Sequence, residues 1–242
     1  ETLAGLISFE IEQGISDVTA GGELGVLGRE ALSTKDTPLR LEPTFVDDRR
    51  AHLDVLMPTG AFALTYPWPA PECEGPAPGS ISERLCQEFV FSRPLYEVEI
   101  VAFAAKASSF ASVQDVSGLS EARICRPEGF PPVDLEAAGW PGTIVEARSA
   151  AKCLEMLREG VVDVLSVPRP WALGFAELGL LEITSLTSTV PIHAAAWKAD
   201  PGAQATIARL DAGLSDLQQS GRWFSIVSAY LSAYNADQAA RQ

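Results

Sequence analysis

Short apolar, β-branched runs alternate with amphipathic segments through the second half of this chain, and that alternation most restricts the folds open to it. Arg123-Ile124-Cys125 reads as a short strand leading into a Gly/Pro turn, Asp134 to Ala138 as a helical turn and Thr143 to Glu146 as a strand. Ser149 to Glu159 reads as a helix with Cys153, Met156 and Leu157 inward, and Val161 to Val167 as the next strand. Ala172 to Leu178 is predicted helical and Ile192 to Trp197 extended. Pro201 to Ser220 is predicted as a long amphipathic helix through Ile207, Leu210, Leu214 and Leu217, stopped by Gly221, and Trp223 to Tyr234 as a last helix. The first half repeats the pattern. Leu3, Leu6, Ile7, Ile11, Ile15 and Val18 fall at three-and-four spacing and predict an opening helix. Thr19 to Pro38, holding Gly21, Gly22, Gly25 and Gly28, reads as a mostly irregular excursion. Arg40 to Val46 follows as a strand, Arg49 to Leu56 as a short helix capped by Asp47-Asp48, and Ala61 to Tyr66 as a second strand after the Pro58-Thr59-Gly60 turn. Pro67 to Gly79 is a predicted loop, with Phe89 to Ser92 and Glu97 to Ala105 extended. Strands alternating with helices imply α/β layers with largely parallel sheets.

The chain has 242 residues, 47% of them apolar, which suffices for one large domain or two lobes of about 120 each. Its 18 basic and 32 acidic residues give a formal charge of −14, which repels a polyanion and argues against nucleic-acid binding. A mean hydropathy of +0.10 argues against disorder. The best membrane-span window, Val98 to Ala105, is too short and contains Glu99. Glu1 to Gly5 shows neither a basic nor an apolar region of a targeting peptide.

The four cysteines form no CxxC pair, and the two histidines, His52 and His193, lie far apart, so no metal site and no cofactor is expected. The cysteines fall as two sequential pairs, Cys73 with Cys86 and Cys125 with Cys153. Two readings stay open on spacing alone: disulfides of an oxidising compartment, or buried thiols of a cytosolic protein.

Several segments carry a family resemblance. Phe89-Val90-Phe91-Ser92-Arg93-Pro94-Leu95-Tyr96-Glu97, running into the apolar strand that ends at Ala105-Lys106, resembles the "FS-x-P-(L/Y)-Y" segment of bacterial extracellular (periplasmic) solute-binding proteins of the polar amino-acid ABC transporter class. Gly160-Val161-Val162-Asp163-Val164-Leu165 resembles that family's "G-x-V-D-A-V" strand, and Asp200-Pro201 through Gly221-Arg222-Trp223 and Ile226 its closing helices. The likeness spans Leu41 to Leu231.

The resemblance implies the type II periplasmic binding-protein fold: two lobes, each a mostly parallel sheet flanked by helices, joined by two crossing hinge strands, with a small ligand held between them. Residues 1–97 and 198–242 would form lobe one, 98–105 and 191–197 the hinge strands, and 106–190 lobe two. It further implies an exported, signal-peptide-free protein, periplasmic and in some family members lipid-tethered, which favours disulfides Cys73–Cys86 and Cys125–Cys153, one within each lobe. Each would contribute roughly 3 kcal/mol through loop closure.

Ligand candidates follow from the same mapping. Tyr66 and Trp68 lie where a lobe-one strand would reach the ligand, Trp68 between two prolines on a predicted loop that suits an exposed ring; ordinary core aromatics are the alternative. Arg84 stands near the family's carboxylate-binding arginine, though one residue farther from Phe91-Ser92, and a solvated surface arginine is its alternative. Ser92 and Tyr96 are weaker candidates. In lobe two, Arg126 and Glu128 sit in the turn where the family offers backbone N–H groups to a carboxylate, and Arg148 precedes the next helix. Where the family's amino-acid binders place an ammonium-pairing aspartate, this chain has Pro168, followed by Arg169 and Trp171. That departure puts a standard α-amino acid in doubt. A second departure is the start: the family opens with a strand, whereas these residues read directly as helix.

The expected function is the substrate-binding component of an ABC-type transporter, a monomer that captures a small organic solute, amino-acid-like or zwitterionic, and delivers it to a membrane permease without chemistry of its own. Two alternatives belong to other classes: a dehydratase-like enzyme on the same fold, for which Glu128 is the one plausible acid/base group, and the ligand-sensing domain of a receptor.

Overall fold

The computed structural model describes residues 2–8, 22–34, 37–38, 40–46, 48–76, 78–128, 130–142, 144–172, 175 and 178–241. The chain divides into two compact units. Unit 1 comprises Glu1–Ala70, Arg84–Tyr96 and Ile192–Gln242; unit 2 comprises Pro71–Glu83 and Glu97–Pro191.

Unit 1 opens with strand β1 (Thr2–Ser8), then helix α1 (Gly22–Leu32), the small β2 (Ser33–Thr34) and β3 (Thr37–Pro38) pair, and β4 (Arg40–Phe45). Helix α2 (Arg49–Ala51) continues into a π-helical turn, His52–Leu56, and β5 (Leu64–Pro69) follows. Asp48 caps α2 by accepting from Ala51 N–H at 2.9 Å. Helix α3 (Ile81–Glu88) leads into β6 (Phe89–Phe91). Strand β1 pairs in parallel with β4, Leu3 opposite Leu41, and with β5, Leu6 opposite Leu64. The chain later adds helices α6 (Ala203–Gln219) and α7 (Arg222–Arg241).

The sequence expectation for the opening is overturned. Thr2–Ser8 is a strand held on both sides, not the start of a helix, and the remainder of that expected helix lies outside the described residues. Strands in parallel sheets read as continuous apolar runs without alternation, so Leu3, Leu6 and Ile7 fit either period. The opening strand of the resembled family is therefore present as β1. The glycine-rich stretch is corrected too: α1 is an 11-residue helix through Gly25 and Gly28. Leu27, Ala31 and Leu32 are buried along with Gly25 and Gly28, and packing against α6 offsets the roughly 1 kcal/mol that each helical glycine costs. The approach of the two helices is close: a Cβ at Gly213 of α6 would lie 1.8 Å from the Ala31 carbonyl oxygen.

In unit 2 the strands are β7 (Tyr96–Ala105), β8 (Ile124–Pro127), β9 (Ile144–Ala147), β10 (Val164–Pro168) and β11 (Leu180–Glu182). Helices α4 (Val133–Ala137) and α5 (Ala150–Arg158) connect them. Strand β10 runs parallel to β8 and antiparallel to β7; β9 extends the sheet beyond β8 and β11 pairs with β7. Period-two alternation makes two cores. Val101, Phe103, Cys125, Leu165 and Val167 pack with Cys153 and Leu157 of α5, while Ala102, Ala104, Ile124 and Val164 pack with Leu119, Leu135 and Trp140. The Cys125–Cys153 disulfide, with a Cα–Cα distance of 5.5 Å, ties β8 to α5 and closes a separation of 28 residues. Cys73 and Cys86 are also disulfide-bonded, and no cysteine is free.

Strand β12 (Ser188–Trp197) carries the chain from unit 2 back to unit 1, and β7 carries it the other way, changing unit after Tyr96. In unit 1, β12 pairs antiparallel with β5 and β6. Ala172, the first residue of the predicted helix, closes a single 3₁₀ turn, Arg169–Ala172; 173, 174, 176 and 177 lie outside the described residues. No described helix is long and apolar enough to cross a membrane.

Candidate functional site

Strand β5 continues through Pro69, where the sequence predicted a loop. Trp68 therefore stands in a sheet opposite His193 and is 0% exposed, and Tyr66 is 1% exposed. Both aromatics are core residues of this structure, and the expected exposed ring is not found. Burial obliges the Trp68 indole N–H to find a partner. It donates to Thr65 Oγ1 at 3.0 Å, and Thr65 Oγ1 lies 2.8 Å from His52 Nδ1. His52 Nε2 is 2.9 Å from the Val46 carbonyl oxygen, which only accepts. Nε2 thus carries the proton, Nδ1 accepts from the Thr65 hydroxyl, and the Trp68–Thr65–His52–Val46 chain is complete with a neutral imidazole. Burial, aided by the charge of Arg49, pushes the His52 pKa down to about 4 against the opposing Val46 hydrogen bond and Asp48 charge.

The other unit 1 candidates hold structure together. Arg84 on α3 pairs with Asp54, donates from Nε to Glu88 at 2.8 Å and from Nη2 to the Leu53 carbonyl at 3.0 Å. Its guanidinium is committed to the π-helical turn. Ser92 Oγ accepts from Ala194 N–H at 3.0 Å and donates to Arg93 O at 2.7 Å, while Ser92 O accepts from His193 Nδ1 at 2.7 Å. Burial lowers the His193 pKa. Tyr96 is partly buried at the start of β7.

Unit 2 holds the most elaborate polar cluster among the described residues. Arg126, in β8, is 0% exposed. Its two terminal nitrogens reach the two oxygens of Asp134 at 2.6 and 3.0 Å, Nη2 also reaches Ser166 Oγ at 2.7 Å, and Nη1 the Pro131 carbonyl at 3.3 Å. Ser188 donates to Asp134 Oδ2 at 3.2 Å. Burial alone would raise the Asp134 carboxyl, but the charge and hydrogen bonds of Arg126 prevail and hold it below the usual carboxylate range. The guanidinium stacks over Phe130, 5.9 Å from the ring centroid, and Phe130 meets Trp171 edge to face at 6.5 Å. Two donors in this cluster are buried without an acceptor, Arg126 Nε and Trp171 Nε1.

Arg169 is not free to meet a ligand. It bonds Glu99 at 2.5 Å and, through both terminal nitrogens, Glu182 at 3.2 and 2.9 Å. Glu128 is partly buried, its backbone N–H donating to Ala147 O at 2.8 Å. Arg148 is exposed ahead of Ser149, which caps α5 by accepting from Lys152 N–H at 3.2 Å. Structure thus brings Arg126 and Trp171 together around Phe130. Sequence reasoning missed Asp134, Ser166, Phe130 and the His52–Thr65 pair. Arg126 was read in a turn, whereas it lies inside strand β8, where burial of its charge requires a counter-charge such as Asp134.

No protein-family model matches the sequence, and no curated protein matches it. Solved structures do match. A histidine kinase sensor domain similar to periplasmic binding proteins superposes with a TM-score of 0.67 at 15% identity, over 93% of this chain and 95% of that one. The VFT2 domain of Bordetella pertussis BvgS gives 0.66 at 14% identity, over 95% and 93%. The substrate-binding protein of an amino acid ABC transporter gives 0.63 at 14% identity, over 96% and 100%. The chain has the periplasmic-binding-protein-like fold.

Proposed function

We propose that this chain captures a small organic solute reversibly, without chemistry of its own, as the exported binding component that serves a membrane permease of the ABC class. The observation that carries this reading is the fold match to a transporter's substrate-binding protein over 96% of this chain and all of the other. The disulfide-bonded cysteines support an oxidising, exported location. The engagement of both histidines in buried hydrogen bonds supports binding without acid–base catalysis. Sensing is the second reading, favoured by the match to a histidine kinase sensor domain. A thermal-shift screen over amino acids, betaines, polyamines, organic acids and neutral polyols tests capture; a solute at about 1,000 times its Kd adds roughly 4 kcal/mol. Turnover of a probe without stabilisation overturns it. Uptake of the labelled solute by cells lacking the chain then separates the roles: it falls if the protein feeds a permease and persists if the protein informs a receptor.

A further inference from the structure

The arginines that the sequence offered as carboxylate clamps are mostly taken. Arg84 is paired with Asp54 and Glu88, Arg126 with Asp134, and Arg169 with Glu99 and Glu182. What unit 2 leaves open is a pair of donors whose one charge is already balanced by Asp134: Arg126 Nε and Trp171 Nε1, two buried N–H donors without acceptors, on residues that both pack on Phe130.

We propose that these two donors form a subsite for an uncharged oxygen acceptor, a hydroxyl or carbonyl group of a polyol, sugar or amide, and that this is the solute class the protein captures. The inference rests on the capture reading above and narrows its ligand. The charge of Arg126 is already balanced by an ionised Asp134. A carboxylate entering here adds an unbalanced negative charge to a buried cluster, a costly addition. An ammonium finds both Asp134 oxygens already accepting, from Arg126 and from Ser188. A neutral oxygen satisfies an N–H without changing the charge, and the Phe130 and Trp171 rings that meet edge to face make the surroundings apolar.

The test is equilibrium binding of D-glucose, myo-inositol, acetamide, L-arginine and L-glutamate to the parent and to Trp171→Phe, which keeps a ring and removes the N–H. The expected result is that a neutral probe binds the parent and binds the variant about 10-fold more weakly, the loss of one hydrogen bond. Should the phenylalanine variant fail to fold, benzothienylalanine at position 171, a sulfur isostere of tryptophan without the N–H, carries the same expectation. Binding of L-arginine or L-glutamate alone, or binding of a neutral probe unchanged by either replacement, overturns the subsite while capture stands. Binding of no probe overturns the solute class.

Discussion

Acidifying the protein from about pH 7.5 to about pH 4 should cost it stability through one imidazole. His52 is 0% exposed and neutral, donating to Val46 O and accepting from Thr65, with Arg49 and Asp48 the charged neighbours that bear on it. Its pKa is about 4 in the fold against 6.5 in an open chain. The depressed folded value means that between those limits the unfolded chain binds a proton that the native state refuses. Stability is therefore undiminished above the unfolded pKa, falls as the pH drops below it, and levels off beneath the folded one. The difference corresponds to about 3 kcal/mol at 1.36 kcal/mol per unit. Urea unfolding followed by tryptophan fluorescence across that range, on the parent and on His52→Gln, isolates the effect. The carboxylates of Glu30, Asp134 and Asp163, all held low by arginine partners, and the buried His193 titrate in both proteins and cancel in the difference. The gap between the two proteins should shrink by about 3 kcal/mol on acidification. Parallel stability curves refute the buried neutral imidazole.

Two further substitutions probe the packing. Asp134→Ala leaves Arg126 buried without its counter-charge and should cost about 3–5 kcal/mol in a urea titration, far more than an exposed ion pair such as Arg222–Glu30 would. Gly213→Ala places a methyl group 1.8 Å from Ala31 O, so α6 must move off α1; a loss of about 2 kcal/mol or more in chemical denaturation is expected, and an unchanged midpoint contradicts the close helix approach.

The elements legible in the sequence were those whose period leaves one interpretation. Helix α6 buries Ile207, Leu210 and Leu214 on one face, and β7 is a short, continuous apolar run that fills a core on each side, so each announced itself. Strand β1 did not, because a strand paired on both sides in a parallel ladder carries no alternation that distinguishes it from a helix face. Helix α1 was hidden by its glycines, which signal turns locally yet suit a helix packed against α6. Trp68 was misplaced for a similar reason: flanking prolines suggest a loop, but β5 runs through both, Pro67 falling at the register shift in its ladder with β12. The distant arginine partners were invisible, since Arg84 and Arg169 find Asp54 and Glu99 30 and 70 positions away and pairing over such distances leaves no local pattern; only Arg84–Glu88, four residues apart on α3, could be read locally.

Equilibrium dialysis of the protein against a mixed panel of neutral polyols, sugars, amides, amino acids, betaines, polyamines and organic acids, with mass-spectrometric recovery of whatever is retained, tests the proposed capture most directly. One solute retained at a single site per chain and recovered chemically unchanged is the predicted result. Retention of nothing, or recovery of a converted product, contradicts it.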